Sequence, residues 1–125
     1  MKRLLIIIVM IAYLVAVCAL DSLIIDRKAS VLDSKLEALY TLAESENPQL
    51  QSAVMDTEMY WEENEFFFAL VTNHRLTDEL DEDILMLKHY VGINDEQHLM
   101  AKIAECRSMV QEIVKDDDPA LHNIF

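Results

Sequence analysis

Residues Leu4 to Leu20 carry no charge, and after a single Asp21 the apolar run resumes at Leu23, Ile24 and Ile25. At 1.5 Å per residue, that length crosses a hydrocarbon core of about 30 Å. Behind it the pattern turns periodic. Ile25, Ala29, Leu32, Leu36, Leu39 and Ala43 are spaced alternately four and three apart, giving the two-per-heptad stripe of a helix that packs along one seam. The spacing predicts an anchor over residues 1–25 continuing without a breaker into a stalk helix over about 26–43. Glu44 to Pro48 ends it, with Asn47 placed to cap the next helix and Pro48 at its first position.

Three further helices follow. The second is expected over about 48–73, with Leu50, Val54, Trp61, Phe68 and Val71 on one side. Phe66, Phe67 and Phe68 together cover about 200° of its circumference at 100° per residue, so this stretch is either central or an interface, and the central position is the first expectation. Thr77, followed by Asp78 and Glu79, reads as the N-cap of a third helix over about 78–91. Leu80, Ile84, Leu87 and Val91 mark its buried stripe, and Gly92 stands where a left-handed cap is wanted. Asn94 with Gln97 suggests a capping box opening the fourth helix, about 95–114, whose stripe is Leu99, Ile103, Cys106, Val110 and Ile113. Asp116 to Pro119 stops it, and the apolar ending Ile124-Phe125 suggests a tail, 119–125, docked on the bundle.

The fold class is therefore all-α: an N-terminal transmembrane helix continuing into a stalk, packed with three more helices as a small antiparallel bundle. Composition agrees, because one Gly and two Pro in 125 residues leave too few turn residues for a sandwich, barrel or doubly wound sheet. The formal net charge is −13. Lys2 and Arg3 flank the anchor, so residues 21–125 hold 8 cations against 23 carboxylates, a net −15. Such a surface repels phosphate backbones and anionic lipid headgroups, which argues against nucleic-acid binding and against peripheral membrane docking through a basic patch. Lys2 and Arg3 before the span, against Arg27 and Lys28 offset by Asp21 and Asp26 behind it, favour a cytoplasmic N-terminus and an extracytoplasmic domain at the cell membrane. Val17-Cys18-Ala19 also supplies small residues acceptable to a signal peptidase, so cleavage after Ala19 is the competing reading.

Candidate chemistry is sparse. His74, His89, His98 and His122 form no His-x-x-x-His or Glu-x-x-His pair of the kind that sets two metal ligands on one helical face, so no metal site is expected. The acidic runs at 78–83 and 116–118 lack the Gly and Glu positions of an EF-hand loop. Cys106 falls on an apolar stripe and reads as a structural thiol; Cys18 lies in the anchor, which excludes a disulfide framework. One glycine cannot build a phosphate-cradling loop. Neither catalytic residues nor a cofactor are expected, and the chain reads as a non-enzyme.

Lys2-Arg3-Leu4-Leu5-Ile6-Ile7, the long first helix, Trp61, His74, Glu79-Leu80-Asp81, Ile84, Leu87, Tyr90 and the terminal Asn123-Ile124-Phe125 together resemble the bacterial membrane-anchored family known as domain of unknown function 4363. The resemblance covers essentially the whole chain. It implies a single-pass, all-helical protein of Gram-positive bacteria with no assigned activity, whose relatives accompany multi-pass membrane proteins and so suggest a partner in the same membrane. No catalytic residue can be carried over. The function expected is that of an accessory protein acting through helix–helix contacts. Its candidate interfaces are Ile25, Leu32, Leu36 and Leu39, which could pair a second copy into a homodimer, and Phe66, Phe67 and Phe68, which could meet a membrane partner. The alternative is an extracytoplasmic sensor whose pocket takes a small ligand or cation, with Trp61, His74, Tyr90 and Asn123 as pocket or packing residues.

Overall fold

The computed structural model describes residues 1–117. Four helices follow one another: α1 (Lys2–Glu44), α2 (Leu50–Val71), α3 (His74–Gly92) and α4 (Glu96–Asp117). Each packs against its sequence neighbours, and α4 closes the ring on α1. This is an up-down-up-down bundle with short connections, and no strand occurs among the described residues. The expected docked tail, 119–125, lies outside the described residues, together with His122 and Asn123.

α1 is a single 43-residue helix with two environments. Its first half is long and apolar enough to cross a membrane, and no part of that window is buried in the bundle. Its second half turns Ile25, Ala29, Leu32, Leu36, Leu39 and Ala43 inward, each at most 2% exposed. The heptad stripe is thus the spine of the bundle's own core. Val54, Trp61 and Phe68 from α2, Leu76, Leu80, Ile84 and Leu87 from α3, and Leu99, Ile103, Cys106, Val110 and Ile113 from α4 complete that core. Leu50 and Val91, expected on stripes, pack only partly buried against it.

Several helix ends differ from expectation, each for a local reason. α3 begins at His74 rather than after Thr77, because Asn73 Oδ1 accepts the Arg75 amide at 2.8 Å and takes the cap. Thr77 is buried one turn later, its hydroxyl donating to the Asn73 carbonyl at 3.3 Å. Gly92 is the last residue of α3 and has no positive φ; Asn94 takes the left-handed position at φ 55°. The Asp95 amide returns to the Tyr90 carbonyl and the Asn94 amide to Val91, the two bonds of a Schellman ending. Asp95, not Asn94, then caps α4, its Oδ1 accepting the His98 amide at 3.2 Å. α1 ends in the same motif: Asn47 bonds back to Leu42, Glu46 to Ala43, and Glu46 is left-handed at φ 52°. Asn47 Oδ1 accepts the Gln49 amide at 2.9 Å, so Asn47 and Pro48 form a turn leading into α2, whose regular part starts at Leu50. α4 runs to Asp117, three residues past the expected 114.

Candidate interaction surface

The seam between α1 and α2 is polar as well as apolar. α2 turns Thr57 and Asn64 inward beside Val54, Trp61 and Phe68, completing a four-and-three pattern that apolar residues alone do not reveal. Both satisfy their own helix: the Thr57 hydroxyl donates to the Ala53 carbonyl at 2.9 Å, and Asn64 Nδ2 donates to the Tyr60 carbonyl at 2.8 Å. Asn64 Oδ1 remains free to accept Lys28 Nζ from α1. The Lys28 ammonium also lies 5.4 Å from the centre of the Phe67 ring, and the Tyr60 hydroxyl donates to the Lys28 carbonyl at 3.1 Å. Burial holds the Tyr60 phenol above its ordinary range. One level farther along, Lys35 pairs with Asp56 at 2.7 Å. These contacts fix the antiparallel register of the two helices.

Ion pairs fix the two seams of α4, against α1 and against α3. Arg107 of α4 meets Asp33 of α1 through two bonds, Nε to Oδ1 at 3.0 Å and Nη2 to Oδ2 at 3.3 Å, and the carboxylate raises the guanidinium pKa. Lys102 lies between Asp83 of α3 and Glu105 of its own helix, at 3.5 and 2.9 Å. The three groups are unequal. The close hydrogen bond lowers Glu105 and raises Lys102, whereas burial raises Asp83 by more than the distant ammonium lowers it. Asp83 Oδ2 is buried without a hydrogen-bond partner among the described residues. Burial, chiefly, also pushes the thiol of Cys106 far up, as a structural cysteine requires.

The residues singled out from the sequence separate in space. Ile25, Leu32, Leu36 and Leu39 are fully enclosed by the other helices, so the stripe offers no face to a second copy. The phenylalanines divide three ways. Phe68 is central, stacked on Trp61 with ring centres 5.5 Å apart, and Phe67 meets it edge-on at 6.1 Å, half-buried. Phe66 points out, 75% exposed, as does Leu70 one turn on at 68%. The expectation of a central triplet therefore holds for Phe68 alone: with α1 and α3 as its neighbours, α2 has no contact left for its outer face.

Trp61, His74 and Tyr90 form no common pocket. Trp61 is buried at mid-height, its indole N–H donating to Asp81 Oδ1 of α3 at 3.0 Å, a partner the sequence did not indicate. His74 is exposed at the start of α3, and Tyr90 stacks on His98 near its end. At 1.5 Å per residue those two positions lie roughly 24 Å apart along the helix. Tyr90 instead borders an open cleft of about 400 Å³ between the α1–α2 and α3–α4 turns, with Glu46, Asn47, Asp95 and Leu99. No group of three His, Cys, Asp or Glu side chains converges on a metal-sized site among the described residues. A second open groove, about 700 Å³, runs beside Leu20, Leu23, Ile24, Arg27, Val31 and Tyr60, where the exposed half of α1 enters the bundle.

No curated protein and no solved structure matches the chain. A family model described as domain of unknown function (DUF4363) matches residues 22–124, beginning where α1 leaves its uncharged run and covering all four bundle helices. The chain is a member of that family.

Proposed function

We propose that this protein is a single-pass membrane protein, its N-terminus cytoplasmic and its acidic bundle extracytoplasmic, that acts without catalysis as an accessory subunit binding another protein of the same membrane. The observation that carries this reading is the division of α1, one helix whose apolar first half is excluded from the bundle while its second half is the bundle's spine. A soluble helix would bury such a run; this one leaves it for a solvent other than water. The polar inventory supports a non-catalytic role: the buried Thr57, Asn64 and Thr77 bond to carbonyls of their own helices, and Asn64 also bridges to Lys28 of α1.

The test is recovery of the full-length protein from membranes in mild detergent, with the intact mass of the recovered chain and the identity of whatever accompanies it. The expected result is a chain retaining residues 1–19, a domain accessible to protease added outside the cell, and a membrane protein that is lost when residues 4–20 are replaced by a polyleucine span. A mature product beginning at Leu20 and free in the medium would overturn the reading.

A further inference from the structure

Resting on the anchored reading above, we propose that the α2–α3 end of the bundle is seated in the interface of the same bilayer that α1 crosses, with Phe66 and Leu70 inserted among the lipid headgroups and upper acyl chains. The register of α2 on α1 sets the level. Asn64 meets Lys28, and the helices run antiparallel, so Phe66 lies beside about residue 26 and Leu70 beside about residue 22 of α1. A hydrocarbon core of about 30 Å that starts near Leu4 ends about twenty residues later, at that same level. No free stalk lifts the domain away from the membrane, because Ile25 already belongs to the core.

The chemistry of this end changes at the same height. The outer face of α2 carries exposed Glu62 and Glu63, and beyond Glu65 the chain has no carboxylate until Asp78. In their place stand exposed Phe66 and Leu70, level with exposed Leu23 and Ile24 of α1. Burial, and then the charges of Asp81, Glu62 and Asp78, raise the Glu65 carboxyl, a weak acid at the border between the two zones. Charges of both signs mark the rim: Arg27 and Arg75 are exposed and form no ion pair among the described residues, and Asp21 and Asp26 of α1 are exposed at the same level. Aromatic and aliphatic tips beside arginines able to reach phosphates are the composition of a membrane interface.

The full-length protein, with Cys18→Ala and Cys106 left in the core, is reconstituted into vesicles of phosphatidylcholine with a minority of phosphatidylglycerol. Single nitroxide labels are placed in separate variants at Phe66→Cys, Leu70→Cys, Met55→Cys and Tyr13→Cys. The expected result is that collisions with oxygen exceed collisions with an aqueous nickel chelate at 66, 70 and 13, and that the ratio inverts at 55, three turns up the same helix. Aqueous accessibility at 66 and 70 with position 13 in hydrocarbon would overturn the seating and leave the anchor intact. Aqueous accessibility at 13 would overturn both. Dipolar broadening between labels at 66 would place a second copy on this face and likewise overturn the proposal.

Discussion

Leu36→Ala distinguishes an internal spine from an intermolecular seam. Leu36 is completely enclosed at the middle of the α1 stripe, so truncation removes three buried carbons and leaves a cavity the neighbouring helices only partly fill. Comparable Leu→Ala changes cost about 3–5 kcal/mol, the transfer term and the cavity term together. In a bundle of roughly a hundred residues each kcal/mol moves the midpoint by about 4–8 °C, so the expected loss is at least about 12 °C. The assay is thermal unfolding of the full-length protein in mild detergent, followed by helical circular dichroism at two protein concentrations tenfold apart. The shift should be the same at both, because every side chain that packs on Leu36 belongs to the same chain. Val31→Ala, at a 39% exposed position one residue before Leu32, should move the midpoint little. If Leu36→Ala proves too unstable to purify, Ile25→Val, removing one carbon at the end of the same stripe, should cost about 0.5–1.5 kcal/mol. An unchanged midpoint with a lowered oligomeric state, or a concentration-dependent shift, would refute the internal-spine reading.

Gly92→Ala should raise stability by about 0.4–1 kcal/mol, because Gly92 is helical and a Cβ there meets nothing within 4 Å. Chemical denaturation reads the sign, and a loss would return the left-handed cap to Gly92. Asp83 gives a pH dependence of definite direction. Its native pKa lies above the ordinary value, so the native state holds the extra proton in the interval between the two, and stability falls as pH rises through that interval. The difference in unfolding free energy, Asp83→Asn minus wild type, should therefore increase as pH climbs from below the ordinary aspartate value toward neutrality; urea titrations at several pH values check it, and a decreasing difference would contradict it. Cys106 should resist maleimide in the native protein and react only at the rate of global unfolding. Mass spectrometry of labelled Cys18→Ala protein, with and without urea, reads this directly, and rapid native labelling would count against the burial.

What the sequence made legible was wherever burial and apolarity coincide. The stripe from Ile25 to Ala43 could be read residue by residue because one face of α1 is both wholly apolar and wholly enclosed. α2 was harder, since two of its five inward positions, Thr57 and Asn64, are polar and become tolerable only by bonding to carbonyls of their own helix. A four-and-three count through Trp61 would have found them. The start of α3 was misplaced because Asn73 and Thr77 are both capping types, and Asp78 and Glu79 make the later one look like a first turn. Burial of Leu76 decides for Asn73, and burial is a tertiary fact. Gly92 drew the left-handed cap by residue type, yet the chain continues two residues before turning and uses Asn94, the next most tolerant residue. The phenylalanine triplet could not be apportioned without knowing that α2 has two neighbours rather than three.

The continuity of α1 ties the two halves of the molecule mechanically. From Lys2 to Glu44 the helix contains neither Gly nor Pro, so nothing in it favours a hinge between the apolar half and the core half. At 100° per residue, the inward direction of Ile25 and Leu32 fixes the azimuth of every residue below them. A protein that gripped the exposed half of α1 in a membrane would thereby dictate which way α2 and α3 face above it, and a force applied to the bundle would return as rotation of the segment below. Phe66 and Leu70, level with the end of the apolar run, would add a second point of purchase. Two points resist tilt where one permits it, and the proposed accessory role, in which the bundle reports or constrains the orientation of a membrane partner, would draw on that stiffness.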